Sequence, residues 1–288
     1  MSAGFAIPVV HSASDLRAIT EPMRAQGATV GLVPTMGYLH EGHQSLVIRS
    51  AAENDLTVVS IFVNPLQFAE GEDYSIYPRD LQRDHEMCAE VGAGLVFAPS
   101  AEEMYAKAPI TSVAVQGFNA VLEGRFRPTH FDGVSTVVAK LFAMLGPDRA
   151  YFGEKDYQQL VIIRRMAFDL SFSVEVVGCP TLRESDGLAM SSRNVYLTAS
   201  ERSAATVLWR SLQAGREVVM AGNRDPDEVE AVMAAVIAAE PKASTDYAAV
   251  VHADTLERPE VLNGELRLLM AARIGQARLI DNIGVSCE

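Results

Sequence analysis

Two histidines in residues 34–43, PTMGYLHEGH, have the type and spacing to bind a phosphate group. His40 and His43 lie between an apolar run, residues 30–33, and a helical pattern that begins at Gly42. At such a junction, unpaired backbone N–H groups and the positive end of the helix dipole favour an anion. The alternatives are a strand–turn–helix connection with surface histidines and a metal site. Zinc peptidases space their histidines four residues apart, which disfavours metal.

A second segment, residues 152–159 with the sequence FGEKDYQQ, again stands between a predicted strand and a helix. Lys155 is its candidate cation for a phosphate. A solvated charged turn is the alternative, and it is the commoner fate of a Glu-Lys-Asp sequence.

The third segment, residues 183–196, places two hydroxyl groups beside a guanidinium, at Ser191, Ser192 and Arg193. Such a loop can surround phosphate oxygens with several donors. The alternative is a polar linker between domains.

Two further segments suit a small acid. Asn64 and Gln67, in NPLQF, offer neutral amides beside an aromatic side chain at the end of a predicted strand. The alternative is an ordinary Asn-Pro turn. Arg125 and Arg127 form a candidate pair for a carboxylate or phosphate, with surface arginines as the alternative.

The elements that position these segments alternate along the first part of the chain. Apolar runs predict strands at residues 30–33, 57–63, 95–98, 150–152 and 174–177, and helical patterns occupy residues 42–54, 79–91, 134–145 and 157–170. This alternation predicts an α/β fold with a doubly wound parallel, Rossmann-like sheet. Ligands of such sheets bind beyond the carboxyl ends of the strands, where these segments fall.

Beyond about residue 198 the pattern changes to long helices followed by strands. Thr198 and Glu201 form a capping box for a helix that runs towards Gly222, and Asp225-Pro226 begins another. Strands are predicted at residues 247–251, 266–271 and 277–280. We therefore expect a Rossmann-like domain at residues 1–185 and a smaller C-terminal α+β domain at residues 186–288.

Composition, charge and the length of the apolar runs argue against several classes of protein. The chain has 288 residues with 24 Lys and Arg against 37 Asp and Glu, and its net charge of −13 disfavours binding to nucleic acid. The longest apolar run, Ala231 to Ala239, has about half the length of a membrane span. No secretory signal is evident, so a cytoplasmic location is expected. Cys88, Cys179 and Cys287 are far apart, which disfavours disulfides and zinc.

In five segments the chain resembles the pantoate–β-alanine ligases, or pantothenate synthetases, within the nucleotidyltransferases that share an HxGH signature. The matching residues are PTMGYLHEGH at 34–43, FVNPLQF at 62–68, EGRFRPTHFDGVSTVVAKLF at 123–142, FGEKDYQQL at 152–160 and ESDGLAMSSRNVYL at 184–197. GEKDYQQ and DGLAMSSRN distinguish this family from its relatives. Thr129 departs from the pattern, in which a glycine usually precedes the histidine.

The resemblance implies a two-step reaction. Pantoate attacks the α-phosphate of ATP and releases pyrophosphate, and the amine of β-alanine then attacks the enzyme-bound pantoyl adenylate and expels AMP. It also implies that residues 1–185 form the catalytic domain that binds ATP and pantoate, and that residues 186–288 close over the active site. Mg²⁺ carried by ATP, no dedicated protein metal site, and a homodimer are implied as well. Another nucleotidyltransferase and a non-catalytic nucleotide sensor are the rival functions.

The resemblance also implies a role for each matching residue. Those with a catalytic role would be His43 as the acid, His40, Lys155, Ser191, Ser192 and Arg193. ATP would be bound by Met36, Gly37, Tyr38, Leu39, His40, Glu41, Gly42, His43, Gly153, Glu154, Lys155, Asp156, Leu182, Met190, Ser191, Ser192 and Arg193. Asn64, Gln67 and Gln159 would bind pantoate, and Gln67 and Arg127 would meet β-alanine.

Overall fold

The computed structural model describes residues 7–69, 71–107 and 109–287, and the chain divides into two compact units. The first unit comprises the described residues up to Glu154 together with Ile162–Pro180. The second comprises Lys155–Val161 together with the described residues from Thr181 onwards.

A six-stranded parallel sheet forms the centre of the first unit. Its strands are β1 (Val9–Val10), β2 (Val30–Thr35), β3 (Leu56–Ile61), β4 (Leu95–Phe97), β5 (Arg149–Gly153) and β6 (Glu175–Cys179), and their spatial order is β1-β4-β3-β2-β5-β6. Val30, Leu32 and Val33 are almost completely buried, because a parallel sheet is covered on both faces. The predicted α/β fold is confirmed, and β1 is an addition to the strands that the sequence predicts.

Helices connect these strands. They are α1 (Ala13–Ala25), α2 (Glu41–Glu53), α3 (Leu81–Glu90), the short α4 (Ala101–Met104) and α5 (Glu123–Phe126), α6 (His130–Leu145) and α7 (Tyr157–Asp169). Helix α6 begins four residues before its predicted start and ends at Gly146, which caps it in the left-handed conformation with φ 60°. Helix α1 was not predicted.

The strand order creates a switch point beside β2. From β2 the chain moves outwards through β3 and β4 on one side, and it returns to pair β5 with the other edge of β2. Parallel sheets of this kind bind ligands at the carboxyl ends of the two strands that flank such a point. The loop after β2, residues 36–40, and the end of β5 at Gly153 therefore lie where a ligand is expected.

The second unit has three helices and an antiparallel sheet. The helices are α8 (Ala199–Ala205), α9 (Val207–Met220) and α10 (Pro226–Ala238), and the sheet has the order β7 (Ala243–His252), β8 (Gly264–Ile274), β9 (Ala277–Cys287). Apolar residues of the helices and strands share one core, in which Leu212, Met233 and Leu268 are fully buried. The expected smaller α+β fold is confirmed.

Two details of this unit differ from the sequence prediction. The single helix expected from Thr198 to Gly222 is interrupted at Thr206, whose hydroxyl donates to the Ser203 carbonyl at 2.9 Å and so competes with the helical pattern. The three strands are longer than predicted, and in β9 the apolar run on which the prediction rests is interrupted by the buried polar residues Asp281 and Asn282. Across the described ranges, none of the helices is long and apolar enough to cross a bilayer.

A close backbone approach joins helix α6 to the 3-10 turn Pro65–Gln67 that follows β3. A Cβ atom added to Gly133 would lie 2.3 Å from the Leu66 carbonyl oxygen and 2.7 Å from the Gln67 nitrogen. Only glycine therefore allows this part of α6 to pack against the turn.

We expect Gly133→Ala to lower the free energy of unfolding by about 2–3 kcal/mol through overpacking, although alanine is the better helix former. Urea denaturation followed by circular dichroism measures the loss. Gly215→Ala in α9 is the comparison, since its new methyl group would meet the flexible side chains of Met233 and Leu268 rather than backbone. A loss at Gly133 no larger than that at Gly215 would contradict the close approach.

Candidate active site

The structure divides the predicted site residues between the two units. The first unit contains the predicted site residues at positions 36–43, together with Asn64, Gln67, Arg127, Gly153 and Glu154. The second unit holds Lys155, Asp156, Gln159, Leu182 and the residues from Met190 to Arg193.

The loop between β2 and α2 is built on two residues with positive φ. Gly37 has φ 85° and Tyr38 has φ 48°. The Gly37 N–H donates to the Thr35 hydroxyl at 3.2 Å, and that hydroxyl donates to the Ser60 carbonyl at 2.8 Å. The turn is therefore tied to both β2 and β3.

The same loop donates two backbone hydrogen bonds to Asp84 of helix α3. One carboxylate oxygen accepts from the Tyr38 N–H and the other from the Leu39 N–H, both at 2.7 Å. The side chain is almost completely buried. Burial raises the pKa of Asp84, and the hydrogen bonds from Leu39 and Tyr38 act in the opposite direction. No local sequence pattern marks Asp84, because the two N–H groups that it accepts from lie 45 and 46 positions away.

His40 and His43 stand together at the start of α2. His40 is the N-cap residue, its N–H donates to Nδ1 of His43 at 3.3 Å, and the two ring centroids are 4.0 Å apart. Because Nδ1 of His43 accepts a hydrogen bond, a neutral His43 carries its proton on Nε2. Nε2–H is therefore the donor that a neutral His43 can offer to a ligand.

Asn64 is buried and its side-chain amide is saturated with protein partners. The NH₂ group donates to the Gly133 carbonyl at 3.0 Å and to Oε1 of Gln67 at 3.2 Å. The oxygen accepts from the Leu66 N–H at 3.2 Å and from the Tyr105 hydroxyl at 2.9 Å. Since an amide has two donor and two acceptor positions, Asn64 here orients Gln67.

The backbone carbonyl of Gln67 is contacted by two polar side chains, those of Arg127 and His130. Arg127 forms a bidentate ion pair with Glu72 at 2.7 and 2.8 Å and donates to the Gln67 carbonyl at 3.2 Å. Nδ1 of His130 lies 2.9 Å from the same carbonyl. Burial opposes ionisation of Glu72, yet the hydrogen bonds and charge of Arg127 outweigh it and lower its pKa. Arg127 is therefore already paired with a carboxylate, whereas Arg125 is exposed.

His130 begins helix α6 in a neutral state. Burial, reinforced by the nearby Arg127 charge, lowers its pKa to about 4. Thr129, the residue that departs from the family pattern, has φ −98° and ψ −6°, which any L-residue adopts easily. The loop therefore accommodates threonine without backbone strain.

The second segment forms the end of β5 and one 3-10 turn, Glu154–Asp156. In the second unit, Nζ of Lys155 is 3.7 Å from a carboxylate oxygen of Asp156. That ion pair is loose because Asp156 is about half exposed. Gln159 lies in the first turn of α7, after Tyr157 and Gln158.

The third segment begins as a short antiparallel hairpin in the second unit. Arg183 pairs with Ala189, and the Met190 N–H donates to the Leu182 carbonyl at 3.0 Å. Gly187 closes the hairpin with φ 93°, and a Cβ atom there would come 2.0 Å from the Trp209 ring. Gly187 is therefore required both by its conformation and by this contact.

Ser191, Ser192 and Arg193 follow directly after the hairpin. Ser191 caps a 3-10 turn, Ser192–Tyr196, and its hydroxyl accepts from the Arg193 N–H at 3.3 Å. Ser192 is buried. The structure thus fixes the backbone that carries these three donors.

Neither a protein-held metal ion nor a cysteine nucleophile is indicated in the described part of the chain. No group of three or more His, Cys, Asp or Glu residues there could hold a metal ion. Cys88, Cys179 and Cys287 are free and buried, and burial raises the pKa of Cys88 to about 12. A neutral buried thiol is a poor nucleophile.

Comparison with known proteins gives one consistent family. The family model described as pantoate-beta-alanine ligase matches residues 8–284. A pantothenate synthetase from Caldicellulosiruptor bescii is 47% identical over 280 residues, which cover 97% of this chain and 99% of that protein.

Solved structures of the same name superimpose on this chain. A pantothenate synthetase from Thermus thermophilus has a TM-score of 0.92 and 50% identity, and the match covers 96% of this chain and 99% of that one. A pantoate-beta-alanine ligase from Francisella tularensis, complexed with beta-gamma ATP and beta-alanine, has a TM-score of 0.81 and 33% identity, with coverage of 96% and 97%. The chain therefore belongs to the pantoate–β-alanine ligase family.

Proposed function

We propose that this chain is a pantothenate synthetase that condenses pantoate with β-alanine and converts ATP to AMP and pyrophosphate. The observation that carries the proposal is the family match over residues 8–284, because it includes every residue that is assigned a role below. The Francisella relative, complexed with beta-gamma ATP and beta-alanine, supports ATP and β-alanine as two of the substrates.

We propose that the reaction passes through pantoyl adenylate. A carboxylate is a poor electrophile. Its oxygen attacks the α-phosphate and expels pyrophosphate, and the mixed anhydride that forms releases AMP readily. The β-alanine amine then attacks the acyl carbon, so no covalent bond to the protein is needed. The task of the protein is to align the reactants and stabilise charge that develops on the phosphates.

The first unit provides phosphate donors that are fixed in place. We assign the loop of residues 36–42 and the imidazoles of His40 and His43 to ATP. Asp84 positions the loop, and the hydrogen bond at Nδ1 of His43 keeps the proton of the neutral ring on Nε2, which can donate a hydrogen bond to a phosphate oxygen. The acid role that we also assign to His43 requires the imidazolium form, in which Nδ1 carries a proton and no longer accepts from the His40 N–H. Gly153 and Glu154, at the end of β5, also belong to the proposed ATP site.

The second unit provides cations and hydroxyl groups for the same substrate. We assign Lys155 to the phosphate oxygens and Asp156 to the adenosine part of ATP. Ser191, Ser192 and Arg193 are proposed to bind the triphosphate, and Leu182 and Met190, at the base of their hairpin, also contact ATP in this proposal. The division into a catalytic domain at residues 1–185 and a closing domain at 186–288 stays a prediction.

Gln67 and Gln159 are the proposed ligands of pantoate. Asn64 contributes by orienting Gln67, since a direct bond from Asn64 to pantoate requires it to release a protein partner. We propose Gln67 for β-alanine as well. Arg127 meets β-alanine only if its bidentate pair with Glu72 opens, and otherwise acts through the Gln67 carbonyl.

The substrate form of ATP is proposed to be its Mg²⁺ complex. Mg²⁺ is usually held by substrate phosphates and waters with few protein groups, which fits the imidazole, ammonium and hydroxyl groups assigned to the phosphates. A homodimer is a further proposal from the family resemblance, and analytical ultracentrifugation tests it. A cytoplasmic location stays a prediction.

The function is tested by incubating the purified protein with MgATP and D-pantoate, with and without β-alanine, and following the products by mass spectrometry. Pantothenate and AMP in equal amounts, formed only with all three substrates, are expected. Nucleotide binding without turnover would instead indicate a sensor. Pyrophosphate release with a different acceptor would indicate another nucleotidyltransferase.

Replacement of Lys155 by alanine is expected to lower kcat by about 10² or more, because the ammonium group stabilises charge that develops during displacement at phosphorus. Steady-state kinetics measure kcat, and circular dichroism shows whether the variant is folded. Lys242→Ala, which removes an exposed lysine of the same unit, is the control and should be unchanged. A near-normal kcat for Lys155→Ala would contradict the assignment.

Replacement of Asp84 by asparagine is expected to lower kcat/KM for MgATP by about tenfold. The asparagine NH₂ group would face either the Tyr38 or the Leu39 N–H, so that one buried donor loses its acceptor, at a cost of about 1–3 kcal/mol. Titration with MgATP measures the change. Asp169→Asn, at an exposed ion pair, is the matched control. Equal values for both variants would show that Asp84 does not position the loop.

Removal of metal should be fully reversible with magnesium. After chelator treatment and dialysis, we expect excess Mg²⁺ alone to restore activity, because Mg²⁺ enters with ATP. The assay compares restoration by Mg²⁺ and by Zn²⁺. An obligatory need for Zn²⁺ would contradict the assignment of His40 and His43 to phosphate.

A further inference from the structure

Strand β9 contains a buried amide that touches the backbone of Lys155. Asn282 is 3% exposed, and its Nδ2 donates to the Lys155 carbonyl at 2.7 Å. Its Oδ1 accepts from Nε of Arg267 at 2.6 Å. Since a carbonyl only accepts and a guanidinium only donates, the two partners determine the orientation of this amide.

The backbone of Asn282 is held as firmly as its side chain. Its N–H donates to Oδ1 of Asp281 at 2.8 Å, and its carbonyl accepts from Arg183 at 3.1 Å. Arg183 also forms a bidentate ion pair with Asp281 at 2.6 and 2.9 Å and stacks 3.9 Å above the Trp209 ring. The strand pairing places Asn282 opposite Leu269 of β8.

Arg267 is fixed in the same way. Its guanidinium lies 4.0 Å above the ring of Tyr157, the first residue of α7 and the second residue after Lys155. The turn that carries Lys155 is therefore contacted by Asn282, and the first residue of the helix that follows it is contacted by Arg267.

We propose that Asn282 is a positioning residue. By fixing the backbone of Lys155, it places the Lys155 ammonium group where negative charge develops on the phosphates during the reaction. The side chain of lysine is flexible, and the precision of its Nζ depends on where its Cα is held. The Lys155 turn is a single 3-10 turn, which supplies little rigidity of its own. The hydrogen bond from Asn282 ties this turn to strand β9 of the antiparallel sheet and so restricts its movement. This inference rests on the proposed phosphate-binding role of Lys155.

The test uses Asn282→Asp in the full-length protein. Aspartate keeps the acceptor for Arg267 but places a negatively charged oxygen against the Lys155 carbonyl, so that this contact becomes repulsive. We expect kcat to fall by about 10- to 100-fold, while KM for β-alanine stays unchanged. Asn282→Ala, which removes the donor without adding an oxygen, should also lower kcat, and it serves if the aspartate variant does not fold. Asn263→Ala is the matched control, since it removes a hydrogen bond from an exposed asparagine to a carbonyl.

A double-mutant cycle with Lys155→Ala separates positioning from a general structural role. If Asn282 acts through Lys155, Asn282→Asp will lower kcat in the wild-type background and have no further effect in the Lys155→Ala background. Additive losses, or a kcat for Asn282→Asp equal to that of the Asn263→Ala control, would overturn the inference. A near-normal kcat for Lys155→Ala itself would instead reject the role proposed for the lysine.

Discussion

Backbone groups that leave a regular strand at the carboxyl edge of a buried parallel sheet must still find hydrogen-bond partners, and this requirement organises the first unit. The loop after β2 satisfies it with the buried carboxylate of Asp84 and the Thr35 hydroxyl. The turn after β3 satisfies it with Asn64, whose amide oxygen accepts from the Leu66 N–H. Each partner also prevents the loop from relaxing, so satisfaction of the backbone and preorganisation of the site have the same cause.

The same requirement explains why several polar side chains near the proposed site are engaged by protein groups in this structure. Asn64 uses all four of its amide positions on protein groups, and Arg127 and His130 are both directed at the Gln67 carbonyl. Gln67 is consequently held through its backbone and through its side chain. Gln67, a proposed ligand of pantoate, is thus surrounded by residues that fix it, which is the arrangement expected of a preorganised site.

The sequence predicted the fold more completely than the site. The parallel strands are buried on both faces and appear as continuous apolar runs, whereas helix α1 escaped prediction because Pro22 inside it normally argues against a helix. In the site, His43 and Lys155 were identified because their residue types bind phosphate. Asp84 and Asn282 were not, since the first acts on backbone more than 40 positions away and the second on a carbonyl 127 positions away. No local pattern marks a side chain whose task is to hold another segment.

Charge at the site is distributed in a way that the net charge of −13 does not reveal. In the first unit the guanidinium of Arg127 is neutralised by Glu72 at 2.7 Å, and burial keeps His130 neutral. In that unit we assign phosphate binding to backbone N–H groups as well as to the two imidazoles, and the backbone N–H groups are dipoles held in place rather than mobile charges. Fixed dipoles need no reorganisation when charge moves from the α-phosphate to pyrophosphate, so they stabilise that step more effectively than an equally strong but flexible cation. A lysine approaches the same effectiveness when its backbone is held as rigidly as those dipoles are, and this is the role that we propose for the hydrogen bond from Asn282 to the Lys155 carbonyl.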